Sequence, residues 1–261
     1  AIIPTGSELI HLRDIQSQAQ IKAGQIIEYN SLILAGLVRE CMAEPIIYDI
    51  VSDVETNIRE TLKNAVESEA DVVLINAGSS AGSKDFTAMT VRDLGEVLVH
   101  GVAMMPGKPT ILGTVAGKPV IGNPGYTVSA TLSFTQFVRP LLFSLQGLRQ
   151  PEVKKIKVRP SRDIPSKLGI EEFLRVNIGR VGEKTVATPL PRAAGSITTL
   201  TRSEGILRIP ALTEGINQED EVDAELLVDE EALLNTISII GSHDITIDVL
   251  ADEIRRSGHD I

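Results

Sequence analysis

The chain alternates short, wholly apolar runs with longer stretches in which apolar residues return every third or fourth position. Val72, Val73, Leu74 and Ile75 form the densest run, short enough for one strand buried on both faces. Ile2-Ile3 and Pro45–Val51 read as two further strands. Glu28–Met42 has helical spacing, with Leu32, Ile33, Gly36 and Leu37 on one face and Asn30 or Ser31 as the cap. Val54–Glu69 has it too, through Ile58, Leu62, Ala65 and Val66. This β-α-β-α-β alternation implies an α/β fold of three layers around a mostly parallel sheet, which gathers its strand exits at one edge. Glu96–Met104 is strand-like, Thr110–Val115 and Lys118–Ile121 read as a hairpin around Ala116-Gly117, and a helix opens after Gly122 and runs to about Gln146.

The pattern changes near Gly147–Pro151. Val153–Val158, Phe173–Gly179, Thr185–Pro189, Gly205–Ile209 and Glu221–Val228 alternate apolar and polar residues between prolines and glycines, as a small β-domain does. Asp229–Asn235 reads as an acidic connector. Ser238–Asp244 repeats the strand-to-loop pattern before a helix with Ile247, Leu250 and Ile254 on one face. That last unit is too short to bury a core alone. The expected division is 1–148, an α/β domain; 149–229, a small β-barrel domain; and 230–261, a linker with the first βα unit of a third domain. The abrupt start and end suggest a piece of a longer polypeptide.

Among 261 residues, a net charge of −10 argues against a nucleic-acid partner. The single cysteine, Cys41, excludes an internal disulfide and fits a reducing cytoplasm; its apolar neighbours make it a buried structural thiol. The four histidines stand far apart, against a structural zinc site. No stretch of the sequence reads as a signal peptide or as a membrane-spanning run.

Candidate chemistry lies in the loops. Val72–Ile75 empties through Asn76-Ala77 into Gly78-Ser79-Ser80-Ala81-Gly82-Ser83, rich in backbone donors, and Asp85 stands where the next helix begins. A buried strand opening into such a loop is how open α/β sheets hold anionic ligands. Thr5-Gly6-Ser7-Glu8 and Ser52-Asp53 are parallel exits, so three loops each supply a carboxylate: Glu8, Asp53 and Asp85. Each also has a structural role open to it, local pairing for Glu8 and helix capping for Asp53 and Asp85. Pro106-Gly107-Lys108-Pro109 fixes a tight turn around one positive charge. Gly122-Asn123-Pro124-Gly125 leads into the last helix of the domain.

Taken together, Thr5-Gly6-x-Glu8-Leu9, Gly78-x-Ser80-x-Gly82-x-x-Asp85-Phe86, Pro106-Gly107-Lys108-Pro109 and Pro124-Gly125-Tyr126-x-Val128-Ser129-Ala130 resemble the molybdopterin molybdenumtransferase family. The resemblance runs from about Ala1 to Val228, and the tail resembles the start of the periplasmic-binding-protein-like domain of some members. It implies insertion of molybdate, or tungstate, into adenylylated molybdopterin with release of AMP, in a cytoplasmic homodimer that uses Mg²⁺. It further implies that two domains normally precede Ala1. By the same resemblance Glu8, Asp53 and Asp85 are catalytic, and Ser80, Asp53 and Asp85 contact the metal. Thr5, Gly6, Gly78, Ser79, Ser80, Gly82, Ser83, Pro106, Gly107, Lys108, Pro124, Gly125, Ser129 and, in the β-domain, Ser196 bind substrate. Hard oxygen donors of this kind suit Mg²⁺ bridging phosphates. Ser7, Met105, Asn123 and Thr127 depart from the usual residues of these motifs, and Met105 removes a cation. The alternative they leave open is a catalytically impaired paralogue that binds molybdopterin or nucleotide as regulator or carrier.

Overall fold

The computed structural model describes residues 1–15, 21–77, 86–193, 195, 197–235 and 245–258. The chain divides into two compact units, Ala1–Pro151 and Glu152–Ile261.

In the first unit five strands make one sheet: β1 (Ile2–Pro4), β2 (Val73–Ala77), β3 (Gly95–His100), β4 (Ile111–Val115) and β5 (Lys118–Pro124). Their order is β1-β2-β5-β4-β3. β1, β2 and β5 are parallel, whereas β4 and β3 add antiparallel pairs. The sheet is therefore mixed, and its parallel half holds the expected exits. The hairpin forms where expected, turning through Ala116 at φ +50° and Gly117 at +80°. Two left-handed residues in succession match the twist of the flanking strands.

Strand alternation sorts the core into two sides. Ile2, Val72, Leu74 and Ile121 pack under α1 (Asn30–Glu40), α4 (Thr127–Ser133) and α5 (Arg139–Leu145), against Leu34, Val38, Phe134 and Phe143. Ile3, Val73, Ile75 and Val120 face α2 (Glu55–Glu67) and α3 (Phe86–Leu94). The α2 side chains buried there are Ile58, Leu62, Ala65 and Val66, the face its periodicity marks. Each large aliphatic so buried contributes roughly 1.5–3 kcal/mol.

Several expected elements differ. The 45–51 segment runs beside β1 but makes only two isolated bridges, Ile2 to Ile47 and Thr5 to Val51. Pro4 has no N–H to donate to it, so the ladder skips from the Tyr48 N–H on Ile2 to the Val51 N–H on Pro4, each at 2.9 Å. Neither Asn30 nor Ser31 caps α1. The Glu28 carboxylate instead accepts from the Ser31 backbone N–H at 2.8 Å and from the Ser31 hydroxyl. β3 stops at His100, where Gly101 turns at φ +84°. β3 is an edge strand with a register shift between Val97 and Val99. The last helix of the unit is not continuous: a π-helical turn, Phe134–Val138, separates α4 from α5. Pro140 lacks the N–H that a regular α-turn needs there.

In the second unit, β6 (Lys155–Pro160), β7 (Glu171–Val181), β8 (Lys184–Pro189), β9 (Gly205–Ile209) and β10 (Val222–Leu226) fall where the alternation marks strands. Their order is β8-β6-β10-β9-β7, and β7 pairs with β8 to close a five-stranded barrel. Val158, Leu174, Val176, Ile178, Leu207 and Ala224 fill it. β7 is long enough, at 11 residues, to pair with both neighbours. The acidic connector proves to contain a short helix, α6 (Glu230–Asn235), and α7 (Ile245–Arg256) follows. The 238–244 repeat of the strand-to-loop pattern lies outside the described residues. No helix among the described residues is long and apolar enough to cross a membrane.

Candidate functional site

The carboxyl ends of the three parallel strands lie level, with Pro4, Asn76 and Asn123 in one register and Ala77 beside Pro124. Thr5-Gly6, the loop after Ala77 and Pro124-Gly125 therefore leave from one edge. β4 runs the other way and begins at that same edge, with Ile111 opposite Gly122. The turn 106–109 that feeds it arrives there too.

Local bonds fix each exit. The Thr5 N–H donates to Asn76 O and the Gly6 N–H to Val51 O, both at 2.9 Å. Gly6 has φ +156°, and a Cβ there would meet Leu9 Cγ at 2.8 Å and both Glu8 carboxylate oxygens at 3.0 Å. The Glu8 carboxylate thus lies over a position that only glycine fits. The neighbouring exit is fastened reciprocally: the Ser7 N–H donates to Asp53 Oδ2 at 3.2 Å, and the Asp53 N–H to Ser7 Oγ at 3.0 Å. This corrects one reading of Asp53, because Val54 is the N-cap residue of α2 and no side chain caps that helix. Asp53 joins two loops and keeps its carboxylate exposed.

On the other side of the edge, Gly107 turns at φ +112°, and an added Cβ would run into the Met104 side chain. The Thr110 hydroxyl donates to Gly107 O at 2.7 Å and lies 3.1 Å from Ser133 Oγ. That ties the turn to α4 and leaves Lys108 exposed, with Met105 half-buried. Asn30 Nδ2 donates to Gly125 O at 2.6 Å, and the Thr127 hydroxyl donates to Asn30 Oδ1 at 2.9 Å and stands 3.1 Å from the Tyr29 hydroxyl. Ser129 is buried within α4. Thr5, Gly6, Glu8, Asp53, Pro106, Gly107, Lys108, Pro124 and Gly125 therefore gather at one edge. Gly78, Ser79, Ser80, Gly82, Ser83, Asp85 and Ser196 lie outside the described residues, though Ala77 and Phe86 bracket the first six.

Residues 1–144 match the family described as "Probable molybdopterin binding domain", and 157–227 match the MoeA C-terminal region (domain IV). The chain belongs to the MoeA family. A molybdopterin biosynthesis protein of Methanocaldococcus jannaschii is 37% identical over 87% of this chain and 54% of its own length. Molybdopterin molybdenumtransferase 2 of Mycobacterium tuberculosis is 32% identical over 80% and 51%. The solved molybdopterin biosynthesis MoeA protein of Pyrococcus horikoshii superimposes with a TM-score of 0.71 at 32% identity, over 87% of this chain and 54% of its own. The chain thus spans about half the length of the curated relatives it matches. This MoeA-family chain carries the MoeA C-terminal region after the molybdopterin-binding domain, the pairing that the motif resemblance implied.

The sequence reading gave no site role to three polar residues at this edge. Glu28 fixes the start of α1. Asn76 and Asn123 end apolar strands with amides 3% and 2% exposed, and a buried asparagine closing an aliphatic run is the signal that marks them.

Proposed function

We propose that the chain supplies the pterin- and phosphate-binding part of a molybdopterin molybdenumtransferase, acting on adenylylated molybdopterin and molybdate or tungstate and releasing AMP. The observation that carries this reading is the arrival of the exits of β1, β2 and β5 and of the 106–109 turn at one sheet edge. Open α/β sheets bind ligands there. The Gly78–Ser83 amides suit the pyrophosphate, Lys108 would supply a cation, and Thr5, Gly6, Pro124, Gly125 and Ser129 would bind substrate. By the same resemblance Ser196 is a further substrate-binding residue, and the protein acts as a cytoplasmic homodimer.

The donor set fits Mg²⁺. Among the described residues no group of three His, Cys, Asp or Glu could cage a metal. Mg²⁺ rarely uses such cages; it keeps waters and shares one or two carboxylates with substrate phosphates. Asp53, Asp85 and Ser80 would hold it, with Glu8 alongside, and it would neutralise charge on the phosphates. The fastening of Ser7 to Asp53 orients that carboxylate beforehand, so little ordering is needed when ligand arrives. The second reading, a binder without turnover, is favoured by the neutral Met105 beside Lys108.

Calorimetry with adenylylated molybdopterin, with and without Mg²⁺ and molybdate, together with assay of released AMP, tests both. Magnesium-dependent binding is expected, and Asp85→Ala should abolish it while changing stability by no more than about 1–2 kcal/mol, the range for a lost cap. Binding that ignores both Mg²⁺ and Asp85 sinks the proposal. Tight binding without AMP release selects the second reading.

A further inference from the structure

The amides of Asn76 and Asn123 stand side by side in the parallel register, where β2 and β5 end. Strand alternation sets them on the sheet face of Leu74 and Ile121, the face that α1 and α4 cover. Asn76 Oδ1 and both Asn123 Nδ2 and Oδ1 are buried and have no hydrogen-bond partner among the described residues. Buried polar atoms in folded chains are nearly always paired, so three orphans on two adjacent residues call for a partner from outside the chain. Nearby groups are already committed. Asn30 holds Gly125 and Thr127, and the Thr5 hydroxyl points at Asn76 O, 3.4 Å away.

We propose that Asn76 and Asn123 form the hydrogen-bonding edge that reads the heterocycle of the ligand, a planar ring with a donor and an acceptor side by side. The inference rests on the functional reading above and specifies it. An Asn amide presents one donor and one acceptor in a plane, the complement of a lactam or of an aminopyrimidine edge. Asn76 Oδ1 adds an acceptor for a ring amino group. The pterin and the adenine of an adenylylated pterin both offer such an edge. Contact requires the groups packed over the amides to shift, because the three amide atoms are sealed from solvent.

The test uses the whole chain with Mg²⁺ and four probes: pterin, lumazine, AMP and IMP. Lumazine and IMP replace the ring amino group with a carbonyl. Asn123→Leu keeps the side chain's shape and removes the orphan amide. It should melt at or above the wild-type temperature and bind pterin or AMP at least tenfold more weakly. The probe that weakens identifies which ring is read. Wild-type chain should also bind that probe at least tenfold tighter than its carbonyl counterpart. Should Asn123→Leu fail to fold, this wild-type comparison decides alone. Equal affinities for pterin and lumazine and for AMP and IMP overturn the inference, as does an Asn123→Leu chain that binds both rings as wild type does. If the wild-type chain binds none of the probes nor adenylylated molybdopterin, the functional reading falls and takes this one with it.

Discussion

Cys41 follows the last turn of α1 with only 1% of its surface exposed, and burial pushes its thiol up from the ordinary value of 9.0. Nearby Arg139 opposes that shift and Glu40 adds to it. A thiol whose folded pKa is raised contributes stability that is fully present below its unfolded pKa and is lost as pH climbs toward the folded one. Urea denaturation should therefore show stability falling as pH rises above about 9, and Cys41→Ala should flatten that slope. A slope that survives the substitution would assign it to other groups. The same burial keeps the thiol slow toward alkylating reagents at neutral pH. Here sequence reasoning succeeded, because a lone cysteine amid apolar helical positions has few other roles. With Glu28 it failed. A glutamate two residues ahead of a helix competes with Asn and Ser as cap, and only the path of the chain decides which side chain reaches the first free N–H.

Among the elements, the β4–β5 hairpin was legible because Ala116-Gly117 separates two apolar alternating runs by two residues. What the pattern does not reveal is that Ala116 takes a left-handed conformation, at φ +50°, while exposed. A side chain with a Cβ raises the energy there by roughly 1–2 kcal/mol. Ala116→Gly should relieve it, less the entropy glycine adds to the unfolded chain, leaving a net gain of about 0.5–1 kcal/mol. Thermal melts would read it as a raised midpoint, and a lowered midpoint would show that the turn changes type. The broken pairing of 45–51 and the π-helical turn share another cause. Pro4 and Pro140 each withhold a donor from a carbonyl, Pro140 from the preceding turn of its own helix and Pro4 from the distant 45–51 segment, a pairing that a window of local sequence does not carry.

Two compact units make up the molecule, and the candidate edge belongs to the first, Ala1–Pro151. Ligand that binds only a folded site stabilises that unit alone. Scanning calorimetry is expected to resolve two transitions, and AMP with Mg²⁺ should raise only the one that disappears when residues 1–151 are unfolded selectively, as tracked by α2 and α3 helicity. A uniform shift of both transitions would contradict this placement. The five barrel strands and the three layers could be read from periodicity, since each rests on many residues at once. The convergence of Glu8 with Asp53 was legible only as topology. Its cement, the paired Ser7–Asp53 bonds, depends on two residues 46 apart.

The two sheets end differently. The barrel closes on itself through β7 and β8. The α/β sheet ends at β3, where Leu98 is 60% and Val99 37% exposed. Crowded or concentrated solutions would find that border first, since an exposed apolar edge invites edge-to-edge growth. The slip in register between Val97 and Val99 works against it: an incoming strand could zip only a few residues before its bonds fall out of step. The bulge thus guards solubility at an edge where the barrel's remedy, closure, is not used.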